Sequence, residues 1–286
     1  MRLILACMAV VAMLASQPAA AQVQGTLERI RETGVIRLGF RPSEPPMSFV
    51  DQNGRPAGYS VDICMQIVAG VAQALKRNDL TVEFIGVDSA TRFSSLADDQ
   101  IDILCGSTTK TLSRRQIVDF TQLTFVTGGA LMSMNDTRVG GVQDLKAKRV
   151  GVVHGTTTIG SLNAVLEKTG VAAEVITFDL AKQGLDALRA GEIDAFASDQ
   201  VVLIGLALTS GDGSNFYITE QMFSFEPFAL AVRRNDADFR LLADTVLSSL
   251  YRSGNIREIY GRWFGGLPFD MPQLLQALYQ LNATPE

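Results

Sequence analysis

The chain contains the stretch Leu96-Ala97-Asp98-Asp99-Gln100-Ile101-Asp102 and, in its second half, the similar stretch Leu188-Arg189-Ala190-Gly191-Glu192-Ile193-Asp194. Each stretch reads as the end of a helix that runs into a strand. Strand-like and helix-like runs alternate around both of them over residues 35–198, a pattern typical of βαβ units around mostly parallel sheets. The repeat therefore predicts two lobes of one design that face each other across a cleft.

The remaining elements divide the chain between these lobes. Apolar periodicity predicts helices at residues 60–76, 90–96, 158–169 and 180–190, and tail helices at 236–252, 255–263 and 272–281. The chain is expected to pass between the lobes twice, at two crossings marked by Gly128-Gly129 and by the Glu226-Pro227 turn. We expect lobe 1 at residues 22–123 and 228–286, lobe 2 at 130–222, and a hinge at 124–129 and 223–227. The fold class is α/β, with helices flanking each mostly parallel sheet, and Trp263 packs the tail onto lobe 1.

The amino terminus has the pattern of an export signal. Arg2 supplies a positive start, residues 3–14 form an apolar run, and Ala19-Ala20-Ala21 offers a small-residue cleavage site. The run is too short for a membrane-spanning helix. We expect a signal peptide at residues 1–21 and a soluble periplasmic protein after its cleavage.

Composition argues against several classes of function. The formal net charge of -5 gives the chain no general affinity for nucleic acid. His154 is the only histidine, and a spectator role is favoured over one in the cleft. A zinc site or a serine-histidine triad would have almost no residues to draw on. We therefore expect no metal, no cofactor and no catalytic residue.

Two cysteines, Cys64 and Cys105, remain after the predicted cleavage. An oxidising compartment permits them to pair, and both are expected near the carboxyl edge of a sheet. The sequence leaves this pairing open. Two buried thiols are the favoured interpretation.

Three arginines follow three successive strand-like segments: Arg41, Arg92 and Arg114. If the strands are parallel, their carboxyl ends meet at one edge, where open α/β sheets bind ligands. Arginine grips a carboxylate with two parallel hydrogen bonds. The arrangement predicts a small ligand with several negative charges, although Arg41 or Arg92 alone is equally well read as a solvated surface residue.

Hydroxyl groups accompany these arginines. Ser107 and Thr109 lie between a strand and Arg114, which resembles a small anion cradle. Thr157 directly precedes the helix predicted at residues 158–169, and free amides at a helix start favour an anion. Ser89 precedes Arg92 at another predicted helix start. A simple turn or helix capping is the alternative interpretation of each pattern.

Asp199 ends a strand in the second half, where an unpaired carboxylate in apolar surroundings is costly. A structural salt bridge is one interpretation. The position also corresponds to Ser107, because each residue follows its repeated isoleucine by the same interval. A ligand ammonium group therefore fits better, and one aspartate facing several arginines outlines an amino acid.

Several motifs in order resemble the periplasmic substrate-binding proteins of amino-acid ABC transporters, within them the glutamate/aspartate-binding type. The resemblance covers nearly the whole mature chain. It runs through residues 39–49, Gly58-Tyr59-Ser60-Val61-Asp62, residues 105–109, Gly155-Thr156-Thr157 and residues 251–264.

The resemblance implies a two-lobed type II periplasmic-binding-protein fold whose lobes close over the ligand for recognition by a membrane permease. The protein is expected to be a monomer. The resemblance also implies that Arg114, Thr109 and Thr157 clamp the α-carboxylate, and that Asp199 with Ser107 anchors the α-ammonium. Arg41, Ser89 and Arg92 would surround the side-chain carboxylate of glutamate or aspartate.

One departure and two alternatives remain open. Related binders can place a histidine where this chain has Ala181, which leaves the choice among aspartate, glutamate and a larger or neutral polar ligand open. The chain also resembles periplasmic cyclohexadienyl dehydratases on the same fold, for which Glu44 or Glu226 would be the candidate general acid. A soluble ligand-sensing partner of a receptor would share the same site.

Overall fold

The computed structural model describes residues 24–267 and 270–285. The predicted signal peptide lies outside them. The strands are β1 (Val35–Phe40), β2 (Ser43–Glu44), β3 (Ser48–Val50), β4 (Pro56–Ala57), β5 (Thr81–Gly86), β6 (Ile103–Cys105), β7 (Val118–Thr127), β8 (Gly129–Met134), β9 (Arg149–Val153), β10 (Glu174–Phe178), β11 (Ala195–Asp199), β12 (Phe216–Ile218) and β13 (Glu226–Arg233).

Helices surround these strands. The predicted helices are present to within about two residues at each end, whereas the helices Thr26–Thr33 and Gln200–Thr209 were not predicted. The α-helices are α1 (Thr26–Thr33), α2 (Tyr59–Leu75), α3 (Arg92–Ala97), α4 (Thr157–Thr169), α5 (Ala181–Arg189), α6 (Gln200–Thr209), α7 (Ala237–Ser253), α8 (Ile256–Phe264) and α9 (Gln273–Leu281). None of the described helices is long and apolar enough to cross a membrane.

The first sheet has the strand order β5-β1-β6-β13-β7. Strands β5, β1 and β6 are parallel, and Phe40 at the end of β1 aligns with Gly86 on one side and Cys105 on the other. Ile36 and Leu38 are fully buried, as period-two alternation requires. The carboxyl ends of three neighbouring strands therefore meet at one edge.

The second sheet repeats this plan in the order β10-β9-β11-β8-β12. Strands β10, β9 and β11 are parallel, whereas β8 and β12 add antiparallel pairings. In the first sheet, β13 is likewise antiparallel to β6 and β7. The prediction of mostly parallel sheets was therefore too simple. The first sheet is mixed because β7 and β13 run in opposite directions as the chain leaves that sheet and returns, and the second is mixed because β8 runs antiparallel to both of its neighbours.

The two crossings run side by side. Thr127 at the end of β7 pairs with Glu226 at the start of β13, so Glu226-Pro227 lies in a strand and the predicted turn there was wrong. A Cβ atom on Gly128 would lie 2.1 Å from the carbonyl oxygen of Ser224. Glycine at this position allows the two segments to approach closely.

The tail helices pack against the first sheet. The rings of Phe125 on β7 and Phe264 on α8 stack with centroids 5.3 Å apart, and the Tyr59 and Tyr279 hydroxyls lie 2.6 Å apart. Trp263 donates from Nε1 to Asp62 Oδ2 at 2.8 Å, which confirms that it packs the tail onto helix α2. These buried aromatic contacts hold the end of the chain beside the start of a crossing.

Cys64 on α2 and Cys105 at the end of β6 form a disulfide, with Cα atoms 6.1 Å apart. The favoured interpretation of two free thiols was therefore wrong. The expectation that both lie near the carboxyl edge of the sheet is confirmed, and this proximity is what allows them to pair. The bond fixes helix α2 to the strand end that precedes Ser107.

Candidate ligand-binding site

The three predicted arginines lie at the carboxyl edge of the first sheet. Arg41 follows β1, Arg92 begins helix α3 after β5, and Arg114 begins a 3-10 turn after β6. Arg41 and Arg92 are only 2% and 3% exposed. Buried guanidinium groups of this kind need partners for their charge.

Arg41 has such a partner. Its Nη2 atom lies 2.6 Å from Glu44 Oε1 and donates to Ser89 Oγ at 2.7 Å. Its Nη1 atom is buried and has no hydrogen-bond partner among the described residues. Glu44 itself is 7% exposed, and its other oxygen accepts a hydrogen bond from the Ser107 hydroxyl.

Arg92 makes a different set of contacts. Its Nη2 atom donates to the carbonyl oxygen of Gly155 at 3.0 Å, and its guanidinium lies 4.8 Å from the centre of the Phe93 ring. Burial, together with repulsion from Arg41 and Arg114, lowers the pKa of Arg92 to about 9. The group therefore remains positive at neutral pH, and its Nε atom has no partner in the described part of the chain.

Arg114 approaches the same space from the third strand end. Its Nη1 atom donates to the carbonyl oxygen of Thr109 at 2.8 Å. Burial lowers its pKa, while the nearby Asp199 and Glu226 act in the opposite direction. Within the described residues, neither Arg92 nor Arg114 has a carboxylate within 4.0 Å. A bound carboxylate would satisfy either of them.

Asp199 faces these arginines from the second sheet. It is the last residue of β11 and is 9% exposed, and its Oδ1 atom has no partner among the described residues. Burial raises its pKa well above the ordinary value, and repulsion from Glu226 and Glu44 adds to the shift. Asp199 forms no salt bridge with any described residue, so the structural salt bridge considered from the sequence is not observed. An ammonium group would offset its burial cost.

Glu226 connects the two sides of this space. Its Oε2 atom accepts from Thr109 Oγ1 at 2.7 Å and from Thr157 Oγ1 at 2.8 Å, while Oε1 accepts from Ser224 Oγ at 2.7 Å. Thr109 follows the first sheet, and Thr157 begins helix α4 beside the second. A single buried carboxylate at the start of β13 therefore links both lobes and the crossing.

The structure brings the predicted residues together. We name the space between the sheets the cleft; its lining residues are Glu44, Arg92, Ser107, Thr109, Arg114, Val153, Thr156, Thr157, Ala181, Ser198, Asp199 and Val202. Arg41 and Ser89 are not among these lining residues, but Arg41 contacts both Glu44, which lines the cleft, and Ser89. Ala181 also lines the cleft, and its relation to a ligand side chain stays a prediction. His154 is exposed and is not among the lining residues.

The sequence did not assign the roles that Glu44 and Glu226 have here. Both were considered only as candidate general acids, yet each lies against residues of the predicted binding set. The spacing of Glu44 from Arg41 was the available signal, because the two form an i,i+3 pair directly after β1. Within the described residues, no cluster of histidine, cysteine and acidic side chains is suited to hold a metal ion.

Comparisons with known proteins agree with this arrangement. Residues 36–266 match the family described as bacterial extracellular solute-binding proteins, family 3. The chain is 32% identical over 97% of its length to the L-glutamate/L-aspartate-binding protein of Pseudomonas aeruginosa, covering 94% of that protein. It is 30% identical over 86% of its length to the glutamate/aspartate import solute-binding protein of Escherichia coli K12, covering 82% of it.

Solved structures show the same architecture. An ancestral arginine-binding protein bound to glutamine superimposes with a TM-score of 0.70 at 30% identity, over 81% of this chain and 98% of that one. A cysteine-binding protein from Campylobacter jejuni gives 0.75 at 23% identity, over 88% and 98%, which bears on the fold alone. The fold is the two-lobed type II arrangement of periplasmic binding proteins, and this chain belongs to family 3 of the bacterial extracellular solute-binding proteins.

Proposed function

We propose that the cleft binds an acidic L-amino acid, glutamate or aspartate, and that the loaded protein delivers it to an ABC permease. The observation that carries the proposal is the opposition of Arg92 and Arg114, which lack a carboxylate partner in the described structure, to Asp199, whose Oδ1 atom is unpartnered. Two carboxylates and one ammonium group would complement these charges. An acidic amino acid carries that combination.

The α-carboxylate is assigned to Arg114 with the hydroxyls of Thr109 and Thr157. These three groups converge near Glu226, and Arg114 already contacts the Thr109 carbonyl oxygen. Both hydroxyls donate to Glu226 Oε2 in this structure, so each would exchange that acceptor for the ligand carboxylate. Asp199 is assigned to the α-ammonium. Ser107 assists as an acceptor, because its hydroxyl proton is directed to Glu44 while its oxygen keeps free lone pairs.

The side-chain carboxylate is assigned to Arg92, supported by Arg41 and Ser89. Arg92 is the better candidate of the two guanidiniums because Arg41 is already paired with Glu44. The relatives named as glutamate/aspartate-binding proteins support an acidic ligand. Ala181 and Arg92 both line the cleft. The choice between glutamate and aspartate would then depend on the length of ligand side chain that places its carboxylate beside Arg92.

Closure of the two lobes would couple binding to delivery. Contacts between lobes are made by Arg92 to Gly155 and by the hydroxyls of Thr109 and Thr157 on Glu226. A ligand shifts a conformational equilibrium only through contacts that differ between the two states. An amino acid held by Arg114 on one lobe and Asp199 on the other meets that condition. Relatives named as import solute-binding proteins support a permease partner, and membership of a family of extracellular solute-binding proteins supports a location outside the cytoplasm.

A dehydratase on this fold is the second candidate, and the raised pKa of Asp199 is the observation that favours it. A protonated carboxyl group in a cleft is suited to act as a general acid. Glu44 and Glu226 are less suited, because the described hydroxyl and guanidinium groups already engage their oxygens. We expect no turnover of prephenate or arogenate.

The test is titration calorimetry of the purified mature protein against the twenty amino acids. Glutamate or aspartate is expected to bind at least about 100-fold more tightly than glutamine or asparagine, because an amide leaves a desolvated guanidinium without its ionic partner. A preference for glutamine, or for an aliphatic or basic amino acid, would contradict the proposal. Release of product from prephenate or arogenate would establish the enzyme instead.

A further inference from the structure

Glu44 is the ion-pair partner of Arg41, and its side chain also lines the cleft. Its Oε1 atom lies 2.6 Å from Arg41 Nη2, and its Oε2 atom accepts from Ser107. Both residues of the ion pair are more than nine-tenths buried. All three partners belong to the first lobe, so the pair does not depend on closure.

The two arginines that line the cleft, Arg92 and Arg114, differ from Arg41 in having no carboxylate partner among the described residues. In the described structure, the guanidinium groups of Arg92 and Arg114 donate hydrogen bonds to backbone carbonyl oxygens and lie over the Phe93 ring, and neither forms an ion pair. Arg41 is therefore the one whose charge is already balanced within the described chain. A ligand carboxylate that approaches Arg41 must share it with Glu44 and meet the negative charge of Glu44 at close range.

We propose that Glu44 is a specificity-determining residue, which acts as an internal counter-ion for Arg41 and competes with the side-chain carboxylate of the ligand. This inference rests on the proposed function. Glu44 would lower the preference for acidic over amide ligands without removing it, since Arg92 remains available. It also restricts the side-chain carboxylate to the position beside Arg92.

The charge balance of the cleft supports this role. The positive groups are Arg41, Arg92 and Arg114. Glu44, Glu226 and, once it is ionised beside a bound ammonium group, Asp199 oppose them, so the two sets are then equal in number. An acidic amino acid adds a further negative charge to this balance, whereas glutamine adds none. Removal of the charge on Glu44 leaves an excess positive charge that only the acidic ligand can neutralise.

The test is Glu44→Gln, which keeps the shape of the side chain and one acceptor oxygen. The ratio of the dissociation constants for glutamine and glutamate should rise at least about tenfold over the wild-type ratio. The melting temperature of the variant without ligand should fall, because Arg41 is then buried without a counter-charge. Saturating glutamate should raise that melting temperature more than it does in the wild type.

Two further variants separate the mechanism from general effects. Asp102→Asn removes another carboxylate that is paired with arginines in the first lobe, away from the cleft lining, and should leave the ligand ratio unchanged. In the Arg41→Ala/Glu44→Gln double variant the gain in ratio should disappear. If the gain persists without Arg41, or if Glu44→Gln leaves the ratio unchanged, the inference is overturned. If wild-type protein binds no acidic amino acid, the proposed function fails first, independently of Glu44.

Discussion

The amino ends of the two sheets repeat one arrangement. In the first sheet, Asp102 accepts from the Arg37 backbone amide at 2.7 Å and pairs with the Arg37 side chain. In the second, Asp194 accepts from the Arg149 amide at 2.7 Å and pairs with the Arg149 side chain. These are the aspartates that end the two repeated stretches. The repeat in the sequence therefore encodes the same link between neighbouring strands in each sheet, a backbone hydrogen bond together with a salt bridge; we call each of these links a tie.

The carboxyl ends of the same sheets do not repeat. The strand ends of the first sheet lead to Arg41, Arg92 and Arg114, while those of the second lead to Thr157 and Asp199. One edge is cationic, and the other carries a buried carboxylate. The comparison teaches that the shared ends hold the scaffold, whereas the ends that differ supply opposite charges to the cleft.

The largest expected effect is the loss of a charge from the cationic edge. Arg114→Ala should weaken binding of glutamate by about 2 to 5 kcal/mol, because a buried α-carboxylate loses its charge-assisted partner. Titration calorimetry measures the loss, and circular dichroism checks the fold. Arg115→Ala, an exposed neighbour in the same turn, is the matched control. Near-normal affinity in Arg114→Ala would remove this residue from the site.

The repeated ties at the amino ends should differ in strength. Asp102 is 3% exposed and pairs with both Arg29 and Arg37, whereas the Asp194 side chain is 33% exposed. Asp102→Asn should therefore lower the free energy of unfolding by about 3 kcal/mol or more, because it breaks a buried pair. Asp194→Asn should cost about 1 kcal/mol or less. Chemical denaturation of both variants checks this, and equal losses would refute the ranking.

Contact between the lobes should be sensitive to a single methyl group. A Cβ atom on Gly205 of helix α6 would lie 2.0 Å from the carbonyl oxygen of Pro45, in the first lobe. Gly205→Ala should therefore disfavour closure and weaken ligand binding by about 1 to 3 kcal/mol, the usual cost of overpacking. Gly160→Ala is the control, because a Cβ atom there meets no other atom within 4 Å. Calorimetry should show weakened binding in the first variant alone.

Much of the fold was predictable because its signals are local. Apolar periodicity indicated the helices, and the repeated stretches indicated two lobes. The positions of Arg41, Arg92 and Arg114 after successive strands predicted a shared edge, since parallel strands end together. The structure brings Arg92 and Arg114 into the same cleft lining as Asp199, although the roles of all three arginines toward a ligand stay predictions.

The rest depended on contacts between distant residues. Pairing of Cys64 with Cys105 required the register of helix α2 against β6, which no local pattern reports. The two hydroxyls that meet at Glu226 come from different lobes. The antiparallel pairing of β7 with β13 follows from the chain leaving the first sheet and returning to it. Glu44 was the exception, because its spacing from Arg41 was visible in the sequence.

The central claim is that Asp199 holds the ammonium group of a ligand whose carboxylates are held by the opposite lobe. Titration calorimetry with glutamate and with glutarate, which lacks the ammonium group, tests it in the wild type and in Asp199→Asn. The wild type should bind glutamate at least about 100-fold more tightly than glutarate, and the substitution should reduce that ratio at least about tenfold. An equal ratio in the two proteins would contradict the account.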